Sequence, residues 1–265
     1  MNDDAYLEVS GVTKWYGSTR HRHTAVDGLE LVVDRTSRTG VVGESGSGKS
    51  TLSRLLIGLE RPSSGTVAFN GVPLHHMLRS RTGRTTFRRA VQFVGQDTTS
   101  SFDPRRRLLD SLTRPLRDLH QLSPAEATTA VLETIVSLGL PEELAHRYPA
   151  QVSGGQRQRF ALARCLAVRP QILICDEVVS ALDVSVQGAI LNLLKRYCAE
   201  QEAGLFFVSH GLPATAFVAD RIIVMHRGTI VEQGTVDEVL DHAQHPYTRS
   251  LLEAHEVGSA LRVAS

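Results

Sequence analysis

The chain has 265 residues, of which 42% are hydrophobic, and its formal net charge is +1 at pH 7. This length allows one large core, or one core with an attached lobe. The nearly balanced charge gives no general attraction to nucleic acid or to an anionic membrane, so charge alone identifies no partner.

The sequence shows no sign of secretion or membrane insertion. Residues 1–6 are acidic and lack an apolar core, and no apolar run approaches the roughly 18 residues that span a bilayer. The cysteines, Cys165, Cys175 and Cys198, have no C-x-x-C spacing. They predict reduced thiols in a cytosolic compartment, without a metal or iron–sulfur site.

The first predicted elements are two strands, at residues 7–12 and 29–33, because apolar and polar residues alternate there. We predict a polar loop between them. Tyr16 in this loop offers a flat ring that could stack on an adenine, although ordinary packing is the commoner role of a tyrosine. His21 and His23 have no carboxylate or cysteine at ligand spacing, so we expect solvated side chains rather than a metal site.

Residues 43–51 match G-x-x-x-x-G-K-[ST] between a short apolar strand and an amphipathic helix, which is the context this motif requires. Its glycines let backbone N–H groups converge on the β- and γ-phosphates of a nucleotide, and the helix dipole adds positive potential. Lys49 supplies a full charge, and the Ser50 hydroxyl can ligate a bridging Mg²⁺. The alternative is a Gly/Ser-rich turn that only caps a helix. The predicted nucleotide contacts are Gly43, Glu44, Ser45, Gly46, Ser47, Gly48, Lys49, Ser50 and Thr51.

A predicted strand at residues 66–69 ends in an Asn-Gly turn, which indicates a β-rich edge on the core. An arginine-rich segment follows. Because no aromatic residues are interleaved, we interpret these side chains as solvated or partner-facing rather than as a nucleic-acid site. The next strand ends at Gln96, whose amide could face a ligand or lie on the surface. The arginines are Arg79, Arg81, Arg84, Arg88 and Arg89.

From about residue 97 to 169 the pattern predicts a helical lobe inserted between strands. Ser123 and Glu126 form a predicted capping box at the start of one helix. The lobe ends in Ser153-Gly154-Gly155-Gln156, which precedes another helix. Ser153 is predicted at the N-cap, and the two glycines leave backbone amides uncovered, so this is a second helix start suited to an anion.

A buried apolar strand at residues 172–175 is followed by two acids, Asp176 and Glu177, which is a costly arrangement unless a cation or a reaction uses them. We predict that Asp176 holds Mg²⁺, directly or through water, and that Glu177 orients and deprotonates the attacking water. A strand at residues 205–208 leads to His210. This histidine could hold a γ-phosphate or cap the strand, and the residue alone does not decide between them.

In their order and spacing these motifs, with residues 180–183, resemble the ATPase subunit of an ATP-binding cassette (ABC) transporter over nearly the whole chain. The resemblance implies an α/β fold, with a P-loop NTPase (RecA-like) core, a β-rich edge subdomain and an inserted α-helical subdomain. The implied parts are residues 1–95, the N-terminal part of the core with an antiparallel β subdomain; 96–169, the helical (signature) subdomain; 170–240, the C-terminal part of the core; and 241–265, a short tail.

The resemblance also implies ATP and Mg²⁺ as cofactors and a role for each motif. Tyr16 would stack on adenine, Glu177 would be the catalytic base, and His210 would contact the γ-phosphate. Gln96 would link Mg²⁺ and the lytic water to the membrane subunits. The implied Mg²⁺ ligands are Ser50, Gln96 and Asp176. The residues that would serve the ATP of a second cassette, in a head-to-tail dimer, are Ser153, Gly154, Gly155, Gln156 and Asp183.

Residues 96–105 and 245–252 resemble, more narrowly, the oligopeptide, dipeptide and nickel importer branch. This implies ATP-driven uptake of peptides, nickel or metal chelates by a chain bound to the cytoplasmic face of the membrane. The implied partners are two permease subunits, a second cassette that is a paralogue or another copy, and, indirectly, an extracytoplasmic substrate-binding protein. No nucleic acid is expected.

The chain departs from that branch at several positions, none of which removes a catalytic group. No cysteine follows Cys198, so we predict no iron–sulfur cluster in the tail. Two alternatives remain: a soluble ABC-type ATPase acting on nucleic acid or the ribosome, and a regulatory module that closes on ATP without hydrolysis. Tandem cassettes would favour the first alternative, and Glu177 and His210 argue against the second. The departures are Thr36-Ser37, Thr98, Asp103, Val152 and Gly211.

Overall fold

The computed structural model describes residues 5–18, 21–97, 101–180 and 182–254. Part of the acidic start, at residues 1–4, lies outside the described residues, as do the departure at Thr98, Ala181 in the segment 180–183, and residues 255–265 of the tail.

The described strands are β1 (Tyr6–Ser18), β2 (His21–Asp34), β3 (Arg38–Val42), β4 (Ser64–Phe69), β5 (Val72–Pro73), β6 (Val91–Val94), β7 (Ile172–Asp176), β8 (Gly204–Val208), β9 (Arg221–His226) and β10 (Thr229–Thr235). The described α-helices are α1 (Lys49–Leu56), α2 (Leu74–Met77), α3 (Arg81–Ala90), α4 (Leu108–His120), α5 (Pro124–Ser137), α6 (Gly154–Leu166), α7 (Val184–Gln201), α8 (Leu212–Val218), α9 (Val236–Asp241) and α10 (Pro246–Ala254). Short 3-10 helices cover Glu142–His146 and Pro149–Gln151.

The central sheet has six strands in the order β10-β9-β3-β8-β7-β6. All neighbouring pairs are parallel except β10 with β9. Every residue of β7 and β8 is buried, as expected for parallel strands covered on both faces. Because parallel strands end at the same edge, the segments that follow β3, β7 and β8 meet there, which is where ligands bind in such sheets. The predicted α/β class is confirmed.

The second sheet has the order β2-β1-β4-β5 and is antiparallel. The prediction of a polar loop between residues 12 and 29 is wrong. Most of these residues belong to β1 and β2, whose pairing extends as far as Ser18 and His21. Register shifts between Val9 and Trp15 interrupt the alternation on which the strand prediction relied. The outer face of an antiparallel sheet is solvated, so a polar composition is compatible with strand.

The inserted helical region packs through α4, α5 and α6. Leu112, Ile135 and Phe160 are fully buried in one cluster that also includes Leu173 and Cys175 of β7. The capping box of α5 is confirmed, because Ser123 Oγ accepts from Glu126 N and the Glu126 carboxylate accepts from Ser123 N, at 3.3 and 2.9 Å. The boundaries at residues 95, 169 and 240 stay predictions. Among the helices of the described chain, none is both long enough and apolar enough to cross a bilayer.

Two glycines provide a matched test of this packing. A Cβ on Gly204, at the start of β8, would lie 1.9 Å from the carbonyl oxygen of Asp34, whereas a Cβ on Gly188, inside α7, would meet no described atom within 4 Å. We expect Gly204→Ala to lower the free energy of unfolding by about 1–3 kcal/mol, because the β2 end must shift. Gly188→Ala should raise it by about 0.5–1 kcal/mol, since alanine favours helix. Urea denaturation followed by circular dichroism measures both, and equal effects would contradict the described β2–β8 contact.

Candidate active site

The loop between β3 and α1 is shaped by its glycines. Gly43 has φ 150° and Gly48, the residue before α1, has φ 104°. A Cβ on Gly43 would lie 2.1 Å from Met225 O, and a Cβ on Gly48 would lie 2.2 Å from Ala25 O. Other side chains would therefore clash with two neighbouring strands in addition to the strain at positive φ. The predicted strand, loop and helix around residues 43–51 are confirmed as local structure.

Lys49 occupies the hollow of this loop and is only 4% exposed. Its Nζ donates to the carbonyl oxygens of Gly43 and Glu44, at 2.7 and 2.8 Å. Burial lowers the pKa of Lys49, and the charges of Glu177, Asp176 and Glu44 oppose that effect. An ammonium held by neutral oxygens, here two carbonyl groups and the Ser47 hydroxyl at 3.4 Å, can exchange them for the more strongly attracting oxygens of a phosphate.

Ser50 and Asp176 lie together at the end of β7, where Ser50 Oγ donates to Asp176 Oδ1 at 3.1 Å. Asp176 is 3% exposed, and burial raises its pKa although the Ser50 hydroxyl partly offsets this. A hydroxyl oxygen and a carboxylate oxygen at hydrogen-bonding distance are hard ligands of the kind that Mg²⁺ prefers. The donor set present here fits the expected ion.

Glu177 is buried and is contacted from both sides. Its carboxylate accepts from Gln96 Nε2 at 2.6 Å and contacts His210 Nε2. Glu177 has φ 55°, an uncommon conformation for a residue other than glycine. Its backbone N–H donates to Val208 O at 2.9 Å, and its carbonyl accepts from Ser180 Oγ, also at 2.9 Å. The backbone therefore turns sharply after β7 and directs the carboxylate between Gln96 and His210.

A cavity of about 290 Å³ lies over these groups. Tyr16 is 38% exposed and lines it, and its phenol donates to the Glu60 carboxylate. Lys14 Nζ lies 5.1 Å from the centre of the Tyr16 ring. The structure thus brings predicted groups from five separate segments to one cavity, whereas Gly43, Glu44, Ser47 and Asp176 are not among its lining residues. Those lining it are Tyr16, Ser45, Gly46, Gly48, Lys49, Ser50, Thr51, Gln96, Glu177 and His210.

The Ser-Gly-Gly-Gln segment lies outside the lining of this cavity. Ser153 is the N-cap of α6, as predicted, and accepts from Gln156 N at 3.2 Å while Gln156 Oε1 accepts from Ser153 N at 2.9 Å. Ser153 and Gly154 are exposed, and so is Asp183, which precedes α7. Within one chain these residues are not brought to the phosphate loop.

Several residues at the site escaped sequence reasoning. His23 lines the cavity because it lies directly opposite Tyr16 in the β1–β2 ladder, a placement that only a hairpin prediction would have given. His21, like His23, is exposed. Glu60 holds Tyr16 and forms an ion pair with Lys14 at 3.4 Å, and no local pattern marks it.

Residues 26–180 match the family model described as ABC transporter. The chain belongs to the ABC transporter family. The match covers the phosphate loop, Gln96, the Ser-Gly-Gly-Gln segment and the Asp176-Glu177 pair. As a member of this family, the chain is an ATP-binding ATPase with the P-loop NTPase fold.

Two similar curated proteins carry transport names. The oligopeptide transport ATP-binding protein OppF of Escherichia coli (strain K12) is 39% identical over 250 residues, which are 94% of this chain and 74% of that protein. The dipeptide transport ATP-binding protein DppF of Haemophilus influenzae is 40% identical over 231 residues, which are 87% of this chain and 70% of that protein.

A similar solved structure is a dimeric post-hydrolysis state of the ATP-binding cassette MJ0796, bound to ADP and Pi. It is 28% identical in sequence, and the TM-score is 0.80 over 87% of this chain and 98% of that chain.

The buried Asp176 carboxylate is expected to lower the stability of the nucleotide-free chain of this ABC ATPase. We expect Asp176→Asn to raise the free energy of unfolding of the nucleotide-free chain at pH 7, because burial, which raises the pKa of Asp176, disfavours its ionised form. The gain should shrink as pH falls through that raised pKa, since both side chains are then neutral. Urea unfolding at pH 7 and at successively lower pH, down to about 4, measures it.

The exposed Asp241, at the end of α9, provides the control. Asp241→Asn should change the free energy of unfolding at pH 7 little, because this side chain is exposed. An Asp176→Asn variant that is no more stable than the wild type at pH 7 would contradict the proposed cost of this carboxylate.

Proposed function

We propose that this ABC ATPase drives the import of oligopeptides or dipeptides across the cytoplasmic membrane. The observation that carries the proposal is the arrangement of Glu177 between Gln96 and His210, beside Lys49 and the Ser50–Asp176 pair. The names of the E. coli and H. influenzae relatives support peptides as cargo, rather than nickel or metal chelates.

ATP would enter the cavity with its triphosphate at the start of α1 and its adenine on Tyr16. Lys49 would release the carbonyl oxygens of Gly43 and Glu44 and bind phosphate oxygens, while loop N–H groups and the α1 dipole stabilise the remaining charge. Ser50, Asp176 and Gln96 would hold Mg²⁺, which offsets phosphate charge when it is bound. This exchange would remove the desolvation cost that Lys49 and Asp176 carry without nucleotide.

Glu177 would act as the general base. A buried carboxylate contacted by an amide and an imidazole has a fixed direction, which is what the deprotonation of a positioned water requires. His210 would then contact the γ-phosphate, and Gln96 would sense both the nucleotide and the membrane subunits. The residue after His210 is Gly211, which has no side chain that could accept a hydrogen bond from the His210 ring. Among the described contacts, the contact with Glu177 therefore orients the imidazole.

The exposed Ser-Gly-Gly-Gln segment would complete the site of a second cassette. The capping box uses the Ser153 N–H and the Gln156 N–H, and it leaves the first turn of α6 at the surface, where an anion from another chain can reach it. Asp183 would cross the same interface. Closure of the cassette dimer on ATP would move the permease subunits, and hydrolysis would remove the contacts that hold it closed.

The other partners we propose are two membrane permease subunits and, indirectly, an extracytoplasmic substrate-binding protein. The second cassette would be a paralogue or another copy of this chain. The chain would therefore work at the cytoplasmic face of the membrane. The arginine-rich helix α3 would remain solvated or face a partner protein, rather than nucleic acid.

The Glu177→Gln variant tests the proposed chemistry. We expect kcat for ATP hydrolysis to fall by about 10²–10⁴-fold, because the amide cannot accept the proton of the attacking water. The affinity for ATP should change little, so filtration should recover bound, unhydrolysed ATP. Phosphate release and bound nucleotide are measured on the same samples.

Glu133→Gln on the exposed face of α5 makes the same chemical change away from the cavity and should hydrolyse ATP at the wild-type rate. Hydrolysis by Glu177→Gln at the wild-type rate would show that another group is the base.

The proposed cargo can be tested in the assembled complex. In proteoliposomes that contain the permease subunits, a peptide-loaded binding protein should raise the ATPase rate, because closure of the cassettes is linked to the permease. The same protein loaded with nickel or a metal chelate should not. Stimulation by nucleic acid at low salt, lost at high salt, would instead support the nucleic-acid alternative.

A further inference from the structure

The tail segment, defined as residues 244–254, is bound to the catalytic core. The Glu232 carboxylate on β10 accepts from the backbone N–H groups of Gln244 and His245, at 2.7 and 3.1 Å. Leu251 of α10 belongs to one hydrophobic cluster with Val42, the last residue of β3. The chain just before α10 is therefore anchored to β10, and α10 itself packs in the cluster that contains the end of β3.

Tyr247 extends from this anchored helix to the loop. Its ring lies against the His226 imidazole at the end of β9, with centroids 3.9 Å apart and planes inclined by 36°. Its hydroxyl oxygen accepts a hydrogen bond of 2.9 Å from the backbone N–H of Glu44. Tyr247 N also donates to His245 Nδ1, at 3.2 Å. The position of the Tyr247 hydroxyl is thus fixed in two ways. The Tyr247 ring stacks on His226, and the Tyr247 backbone N–H is bonded to His245.

Glu44 connects this hydroxyl to the phosphate-binding lysine. Its N–H donates to Tyr247, and its carbonyl oxygen accepts from Lys49 Nζ at 2.8 Å and from Ser47 N at 3.2 Å. The backbone of Glu44 therefore bonds to the tail through its N–H group and to Lys49 through its carbonyl group. A shift of Glu44 would change where Lys49 is held before nucleotide arrives.

We propose that Tyr247 is a positioning residue for the phosphate loop, and that the tail segment thereby raises the affinity of the chain for ATP. This rests on the proposed function of the cavity as the ATP site. Tyr247 acts through Glu44 and Lys49. Fixing the loop before binding lowers the ordering cost that nucleotide binding must meet. The motif at residues 245–252, which has no role in the chemistry proposed above, would thereby contribute to nucleotide binding.

Tyr247→Phe tests the proposal, because it removes the hydroxyl and keeps the ring on His226. The dissociation constant for MgATP should rise by about three- to tenfold, as expected for the loss of one hydrogen bond. The kcat at saturating ATP should stay within about twofold of the wild type, because the Glu177 surroundings are unchanged. Fluorescence titration and steady-state hydrolysis on the purified full chain measure the two constants.

Tyr197→Phe is the matched control. Tyr197 lies on α7, and its hydroxyl donates at 3.4 Å to Pro170 O, away from the loop. The dissociation constant of this variant for MgATP should equal that of the wild type.

Melting temperatures distinguish a purely structural role for Tyr247. If its role were purely structural, Tyr247→Phe would lower the melting temperature without nucleotide and leave the ATP-induced increase in melting temperature unchanged. We expect instead that Tyr247→Phe makes the ATP-induced increase smaller.

Combination with Lys49→Ala gives a second, independent result. Because Tyr247 acts through Lys49, Tyr247→Phe should weaken binding of a fluorescent ATP analogue much less in the Lys49→Ala background than in the wild type. Equal weakening in both backgrounds, or an unchanged dissociation constant for Tyr247→Phe alone, would overturn the proposal. If the wild-type chain itself bound no ATP, the proposed ATP site would fail instead, so the two failures are distinguishable.

Discussion

The structure depends on the arrangement of charge at the carboxyl edge of the central sheet. Lys49, Asp176 and Glu177 are all at least 94% buried. Lys49 begins the helix that follows β3, and the two acids lie at the end of β7. Buried charges are unfavourable unless they are paired or bound to a ligand. Here carbonyl oxygens, the Ser50 hydroxyl, Gln96 and His210 compensate them only in part. In the proposed function, ATP and Mg²⁺ would supply the rest of the compensation.

The rest of the fold positions this edge. Parallel pairing of β3, β7 and β8 brings together side chains that are separated by more than a hundred residues in sequence. The β1–β2 hairpin holds Tyr16 over the cavity, and Glu60 fixes the Tyr16 phenol. The tail segment bonds the first half of the phosphate loop through Tyr247. The phosphate loop of this ABC ATPase therefore contacts elements from both ends of the chain.

Local patterns predicted much of this arrangement and missed what depends on pairing. The phosphate loop, the α5 capping box and the strand before Asp176 follow from glycine stereochemistry, backbone capping and uninterrupted apolar residues, which are all short-range properties. The length of the β1–β2 hairpin was missed because its register shifts break the alternation. Glu60 and the bond between Tyr247 and Glu44 could not be predicted, because each joins residues distant in sequence through one side-chain contact.

In the proposed mechanism two chains share each nucleotide, because Ser153 is exposed and lies outside the cavity of its own chain. The most direct test is a structure of the complete complex with MgATP and the Glu177→Gln substitution, in which the distance from Ser153 Oγ to the nearest γ-phosphate is measured. We expect hydrogen-bonding distance to the nucleotide on the opposite cassette. A closed complex in which Ser153 is far from every bound nucleotide would contradict the account.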